Sequence, residues 1–183
     1  FDWSLTNAHS NFCLCWGGQA SLNHFYGIPK NELPEKRFGI YTHQILDKTS
    51  LLMRGLDDEI PIPVSRYTET RKEDLVKLDH LQVLMNSDEA GICMVIDHRL
   101  HHIHMFNHLE YDTNTIGDEY RRDRAKGGKI KLPANYFPNN DPFLLPVNRW
   151  RSNGHLLFSN WLNYIYQSTP YDIDLIGSEK NRI

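Results

Sequence analysis

The chain has only three cysteines, Cys13, Cys15 and Cys93, among 183 residues. An odd number at this spacing makes no disulfide framework, so a reducing, cytoplasmic setting is expected. Cys13-Leu14-Cys15 is C-x-C rather than C-x-x-C, which excludes a thioredoxin-type redox pair and half of a zinc ribbon. The H-E-x-x-H motif is absent too. The histidine-rich run His98, His101, His102 and His104 would scatter its rings over both faces of a strand, so no metal is expected. Apolar runs fall far short of the roughly 20 residues of a membrane helix, and the N-terminus has no signal-peptide layout. No membrane partner is expected. Long blocks of one charge are missing and the net charge is -3, which gives no reason to expect a nucleic-acid partner. The paired cations Lys36-Arg37 and Arg121-Arg122 could still meet a small phosphate-bearing substrate.

What is present is ordinary globular composition, 40% hydrophobic and 11% aromatic, enough for a core without disulfide or metal staples. One domain over residues 1–183 is expected. Residues 11–15 (NFCLC) are apolar enough for a strand buried on both faces, the pattern of a parallel sheet. Such a strand would start the chain almost inside its own core, so residues are expected upstream of Phe1. Gly17-Gly18 read as a turn, residues 19–26 as a helix stopped by Gly27 and Pro29. Residues 28–70, rich in Pro, Gly and Asp, read as irregular loops with short strands. A short helix is expected over 72–80, then two strands, LQVLMNS and GICMVID, around the turn Asp88-Glu89-Ala90.

A third strand over 101–107 would deliver His108. A helix is expected from Asp112, with acidic residues first, arginines later and Gly127-Gly128 at its end, as the helix dipole favours. Four prolines between 129 and 150 predict a long extended loop. In the last helix, 154–167, Leu157, Trp161, Tyr164 and Ile165 share one face. Strands alternating with helices predict an α/β fold.

A cysteine at the end of a strand, before a tight turn into a helix, has the layout of a nucleophile elbow. The elbow exposes the side chain and aims the helix N-terminus at it, a place that favours a thiolate. It also leaves backbone N–H groups free for a developing oxyanion. In CLCWGG that residue is Cys15, with Cys13 two residues deeper and read as core. Spacing alone allows Cys15 equally to be a buried core residue. A cysteine nucleophile needs a base, and the base an orienting group. His108 and Glu110, two apart at a strand end, would project to one face. Without Cys15, His108 would read as an ordinary surface histidine.

The stretches CWGGQASLNHFYGIPK (15–30), RGLDDEIPIPVSRYTE (54–69), HLEYDTNTIGDEYRRD (108–123), NYFPNNDP (135–142) and WRSNGHLLFSNWLNYIYQSTPYD (150–172) together resemble the homoserine O-succinyltransferase family. The resemblance covers nearly the whole chain. It implies a class I glutamine amidotransferase-like (flavodoxin-like) fold, a mostly parallel sheet flanked by helices, of which this chain would be the C-terminal portion. It implies that Cys15 takes the acyl group as a thioester, with His108 as general base and Glu110 as its partner. Lys36, Ser65 and Arg122 match substrate-binding positions of the family. A guanidinium suits bidentate grip on an amino-acid carboxylate. Outside the resemblance, Lys36 reads as a solvated loop charge, Ser65 as a turn hydroxyl and Arg122 as the helical partner of Asp118.

The chain departs from the family where Asn107-His108-Leu109-Glu110 stands for the usual Gly-His-Pro-Glu. The expected enzyme is a ping-pong acyltransferase of sulfur amino-acid biosynthesis. The backbone amides of Trp16 and Gly17 would hold the oxyanion. The co-substrate would be acyl-CoA, acetyl or succinyl, with no permanently bound cofactor; the acceptor would be L-homoserine or L-serine, and the assembly a homodimer. A hydrolase or amidotransferase using the same three residues, and a catalytically silent binding homologue, are the rival readings.

Overall fold

A computed structural model describes residues 1–171, so Asp172, the last residue of the 150–172 stretch, lies outside the described residues. A short helix α1 (Asp2–Asn7) leads into β1 (Asn11–Leu14), then α2 (Trp16–Tyr26), β2 (Asn31–Ile45) and β3 (Glu59–Glu69). After α3 (Lys72–Leu75) come β4 (Leu81–Ser87), β5 (Gly91–Asp97), β6 (His102–Met105), α4 (Thr115–Ala125) and α5 (Arg151–Ser168). The six strands form one sheet in the order β1-β6-β5-β4-β2-β3.

The α/β class holds, but the expected mostly parallel sheet does not describe these residues. Only β1 and β6 run parallel, Asn11 opposite His102 through Leu14 opposite Met105. The remaining pairs are antiparallel. Short turns cause this: the 88–90 connection joins β4 to β5 directly, and a parallel return would need a crossover.

Residues 28–70 are also not irregular. They form a long hairpin, β2 on β3, in register from Arg37 opposite Arg66 to Gln44 opposite Glu59. The prolines that suggested loops sit where a missing N–H costs little. Pro61 and Pro63 lie on β3, the last strand of the sheet, and Pro34 falls in the register break between Glu32 and Arg37. The sheet curls until the free edge of β3 reaches the segment after β6, where His108 N–H donates to the Pro63 carbonyl at 2.8 Å. That closure places β2 and β3 side chains beside residues delivered by β1 and β6.

The β4–β5 pair, the long loop 129–150 and the final helix are as expected. The 72–80 helix shortens to Lys72–Leu75, and α4 starts at Thr115 rather than Asp112. The main core fills one side of the sheet with Ile60, Ile62, Met94, Ile103, Trp150 and Leu157. A second cluster, Leu22, Ile28, Leu75, Val95 and Phe106, lies under α2. No described helix is long and apolar enough to cross a membrane.

Candidate active site

Cys15 follows β1 directly. Its N–H extends the ladder to the Met105 carbonyl at 2.7 Å, and the chain then turns into α2. The turn is made by Cys15 itself, with φ 49° and ψ -119°, a region that a non-glycine residue occupies only when its surroundings impose it. The expected Gly17-Gly18 turn is therefore the first turn of the helix. Gly18 is needed there for closeness: a Cβ would sit 3.0 Å from the Cys13 carbonyl and 3.2 Å from that of Met105. The Cys15 carbonyl accepts from Gly18 and Gln19 N–H, leaving the Trp16 and Gly17 N–H groups at the open end of the helix.

His108 comes from the segment after β6. Its Nδ1 lies 2.6 Å from Glu110 Oε1, so Nδ1–H donates to the carboxylate. That bond leaves Nε2 as the nitrogen free to exchange a proton, and Nε2 is buried without another partner among the described residues. Burial opposes charge on this imidazole, but the nearby Cys15 sulfur and the Glu110 carboxylate outweigh it, and the pKa is pushed up to about 9. The Tyr111 ring stacks on His108, centroids 4.0 Å apart.

Cys15 and His108 lie at one end of a cavity of about 970 Å³ whose wall includes Lys36, Ser65, Glu119 and Arg122. Glu119 is the hub of that wall. Its Oε2 accepts from Ser65 Oγ at 2.6 Å and from Lys36 Nζ at 3.4 Å, and its Oε1 accepts from Tyr111 O–H at 2.8 Å. Burial first, then the Glu119 bond, drives the Tyr111 phenol far above its usual pKa, so it remains a donor. Lys36 is not a solvated loop charge. It sits on β2 with 11% of its side chain exposed, bonds Asp123 at 3.3 Å and lies 4.0 Å over the Phe38 ring. Arg122 pairs with Asp123 at 2.8 Å, while Arg121 takes Asp118. Lys126, Lys129 and Lys131 line the same cavity.

The sequence reading missed Glu119 and Tyr111. Both lie within the matched stretch 108–123, and Glu119 stands three and four residues before Arg122 and Asp123, on one face of α4. Asn107 and Leu109, where the chain departs from the family, are both buried and do not line the cavity. The histidine run divides among separate partners. His98 meets Gln82, His101 meets Tyr164, His102 meets Asn11 and His104 meets Ser21. Among the described residues no cluster of His, Cys, Asp or Glu could hold a metal ion.

A cysteine on a strained strand-to-helix turn, lining one cavity with the histidine of a histidine–carboxylate pair, suits acyl chemistry. A glutamine amidotransferase from Thermotoga maritima superposes with TM-score 0.61 at 15% identity, over 86% of this chain and 62% of that one. A glutamine amidotransferase from Methylobacillus flagellatus superposes with TM-score 0.55 at 14% identity, over 83% of this chain and 61% of that one. At such identities the likeness defines the fold alone, class I glutamine amidotransferase-like.

The sequence narrows it further. Residues 1–171 match the family model described as homoserine O-succinyltransferase, and the chain belongs to that family. A homoserine O-acetyltransferase of Rhizobium leguminosarum bv. trifolii is 51% identical over 178 residues. One of Roseobacter denitrificans is 49% identical over 176. These alignments cover 97% and 96% of this chain but 58% of each relative, so the chain spans somewhat over half the length of the curated relatives it matches.

Proposed function

We propose that this chain carries the catalytic residues of an acyltransferase that moves an acyl group from acyl-CoA, through a thioester on Cys15, to the hydroxyl of L-homoserine. The observation that carries the reading is the meeting, in one cavity, of Cys15 and the His108–Glu110 pair with a wall holding both signs of charge. An amino acid with a side-chain hydroxyl presents a carboxylate, an ammonium and the reacting oxygen. Lys36 and Arg122 suit the carboxylate and Glu119 the ammonium. The Lys36 contacts, at 3.3 and 3.4 Å, are longer than strong charge-assisted bonds, so an incoming carboxylate could take them over. Lys126, Lys129 and Lys131 give the cavity a cationic side suited to the phosphates of a CoA donor.

In the first half-reaction, the Cys15 sulfur attacks the acyl-CoA carbonyl. The Trp16 and Gly17 N–H groups hold the oxyanion, and the CoA thiolate leaves with the proton that His108 Nε2 carries. In the second, His108 Nε2 takes the proton from the acceptor hydroxyl as its oxygen attacks the thioester. The oxyanion collapses, the C–S bond breaks, and the proton returns to the Cys15 sulfur. Glu110 keeps Nδ1 protonated throughout, which fixes Nε2 as the working nitrogen. The family relatives named for acetyl transfer favour acetyl-CoA as donor. Small-molecule substrates, a homodimer and a cytoplasmic setting go with this reading.

The test is intact-mass measurement of the full-length protein after mixing with acetyl-CoA or succinyl-CoA, then a chase with L-homoserine or L-serine. A Cys15 adduct that homoserine discharges is the expected result. Discharge by serine alone would reassign the acceptor. Hydrolysis of glutamine without adduct formation from either donor would sink acyl transfer in favour of amidotransfer.

A further inference from the structure

Arg66 is a buried cation next to the cavity that the chemistry above does not use. It follows Ser65 on β3 and is 6% exposed. Nη1 donates to the Thr68 carbonyl at 2.7 Å, Nη2 to the Ala90 carbonyl, and Nε to Asn107 Oδ1 at 3.3 Å. All three acceptors are neutral, and no carboxylate pairs with it among the described residues. A buried charge without a counter-charge is strongly disfavoured unless something negative is held nearby. Burial pulls the guanidinium pKa down; Cys93, Glu69 and Cys15 act against that, and Arg37 adds to it. Cys93 cannot serve, because burial pushes its thiol up to about 12 and keeps it neutral. Glu69 is already engaged by Arg71 at 3.6 Å. Cys15 remains.

The bonds of Arg66 run to both halves of the site. The Thr68 carbonyl that it donates to also accepts from Gln19 Nε2 at 3.1 Å, and Thr68 O–H donates back to Gln19 Oε1 at 2.5 Å. Gln19 is 2% exposed on the first turn of α2, four residues after Cys15. On the other side, Asn107 is fully buried and immediately precedes His108. Its Nδ2–H donates to His43 Nε2 at 2.8 Å, while His43 Nδ1–H donates to the Tyr41 carbonyl at 2.9 Å. Burial lowers His43 to about 4, so the ring is neutral and its Nε2 can only accept. The amide of Asn107 therefore has one orientation, with Oδ1 toward Arg66.

We propose that Arg66 is the positioning residue of this site: one buried guanidinium joins the nucleophile's helix, through Thr68 and Gln19, to the base's turn, through Asn107. The inference rests on Cys15 as the nucleophile, and its first readout, alkylation of Cys15, needs no acyl donor.

The full-length protein, Arg66→Met and Arg66→Lys are alkylated with iodoacetamide at pH 7, and modification of Cys15 is followed by fragment-ion mass spectrometry. Arg66→Met is expected to slow alkylation about tenfold, because the helix that carries Cys15 and the turn that carries His108 are no longer held in one geometry. Arg66→Lys keeps the charge but lacks the fork that holds Thr68 and Asn107 together, so it is expected to slow alkylation about tenfold as well and to lose about tenfold in kcat with KM for homoserine unchanged. A folded Arg66→Met or Arg66→Lys protein alkylated at the wild-type rate overturns the proposal, as do losses in both variants that track their thermal transitions. If Arg66→Met does not fold, Asn107→Ala decides: alkylation and kcat should both fall about tenfold with KM unchanged, since the tie from the guanidinium to His108 is cut. A wild-type value for either property overturns it. Fast Cys15 alkylation in a wild-type protein that accepts no acyl group would sink the acyltransferase reading and leave this one standing.

Discussion

The Tyr111 ring lies against the His108 imidazole, centroids 4.0 Å apart with planes 20° from parallel, while its hydroxyl donates to Glu119 Oε1 at 2.8 Å. One side chain thus touches both His108 and the charged wall of the cavity. Tyr111→Phe keeps the ring and removes the bond. The acceptor KM is expected to rise about tenfold to a hundredfold, the worth of one hydrogen bond to a charged group, with kcat within about threefold. Tyr111→Ala, which also removes the stack, should lower kcat further. Steady-state kinetics with homoserine varied would separate the two effects, and equal kinetics for both variants would show that the stack contributes nothing.

In the proposed mechanism Glu119 divides the two half-reactions. Glu119→Gln keeps the shape but not the charge, so formation of the Cys15 adduct from acyl-CoA should proceed at a near wild-type rate. Discharge by homoserine should slow about tenfold to a hundredfold, since the ammonium loses its counter-charge. Rapid-quench intact-mass measurement reads each half separately. A slowed first half would place Glu119 in donor chemistry instead.

The raised pKa of His108 has a stability consequence. Its folded value of about 9 lies above the 6.5 of a free histidine, so the folded state binds the proton more tightly. The stabilisation is complete below about pH 6.5 and is lost as pH rises through 9. Thermal unfolding from pH 6 to 10 should show this decline, and His108→Gln should flatten it. Glu110→Gln, by removing one cause of the shift, should move the decline to lower pH. A decline unchanged in His108→Gln would assign it to other groups.

Helix α5 touches the turn of His108 and Glu110 at Gly154. A Cβ there would meet the Leu109 carbonyl at 2.6 Å, and Leu109 lies between His108 and Glu110. Gly154→Ala is expected to destabilise the protein by about 1–3 kcal/mol through overpacking. Because the strained neighbour is the turn proposed to carry the base, kcat should fall as well. Denaturant unfolding and kinetics on the same preparation check both, and normal kcat in a destabilised variant would mean that the strain relaxes into α5.

The strand-end place of Cys15 and the His108–Glu110 contact were legible because each is local. The cysteine stands at a strand end before a glycine pair, and the other two are separated by one residue. The hairpin of residues 31–69 was not legible, because Pro61 and Pro63 look like strand breakers unless the strand is known to be an edge. Edge position is a property of the whole sheet. Lys36 shows the same limit: its number places it in a polar stretch, yet its partners Glu119 and Asp123 come from a helix more than eighty residues away.

Periodicity and spacing, which act between near neighbours, determined the strand–cysteine–helix unit, the His108–Glu110 pair, the β4–β5 turn and the apolar face of α5. The matched stretches determined the family. Tertiary structure alone decided that the sheet curls, that β3 brings Ser65 and Arg66 up to the turn after β6, and that Glu119 gathers Ser65, Lys36 and Tyr111. The reason is physical: buried polar groups must find partners wherever the packed fold supplies them, and for Arg66 those partners lie on three different segments of the chain.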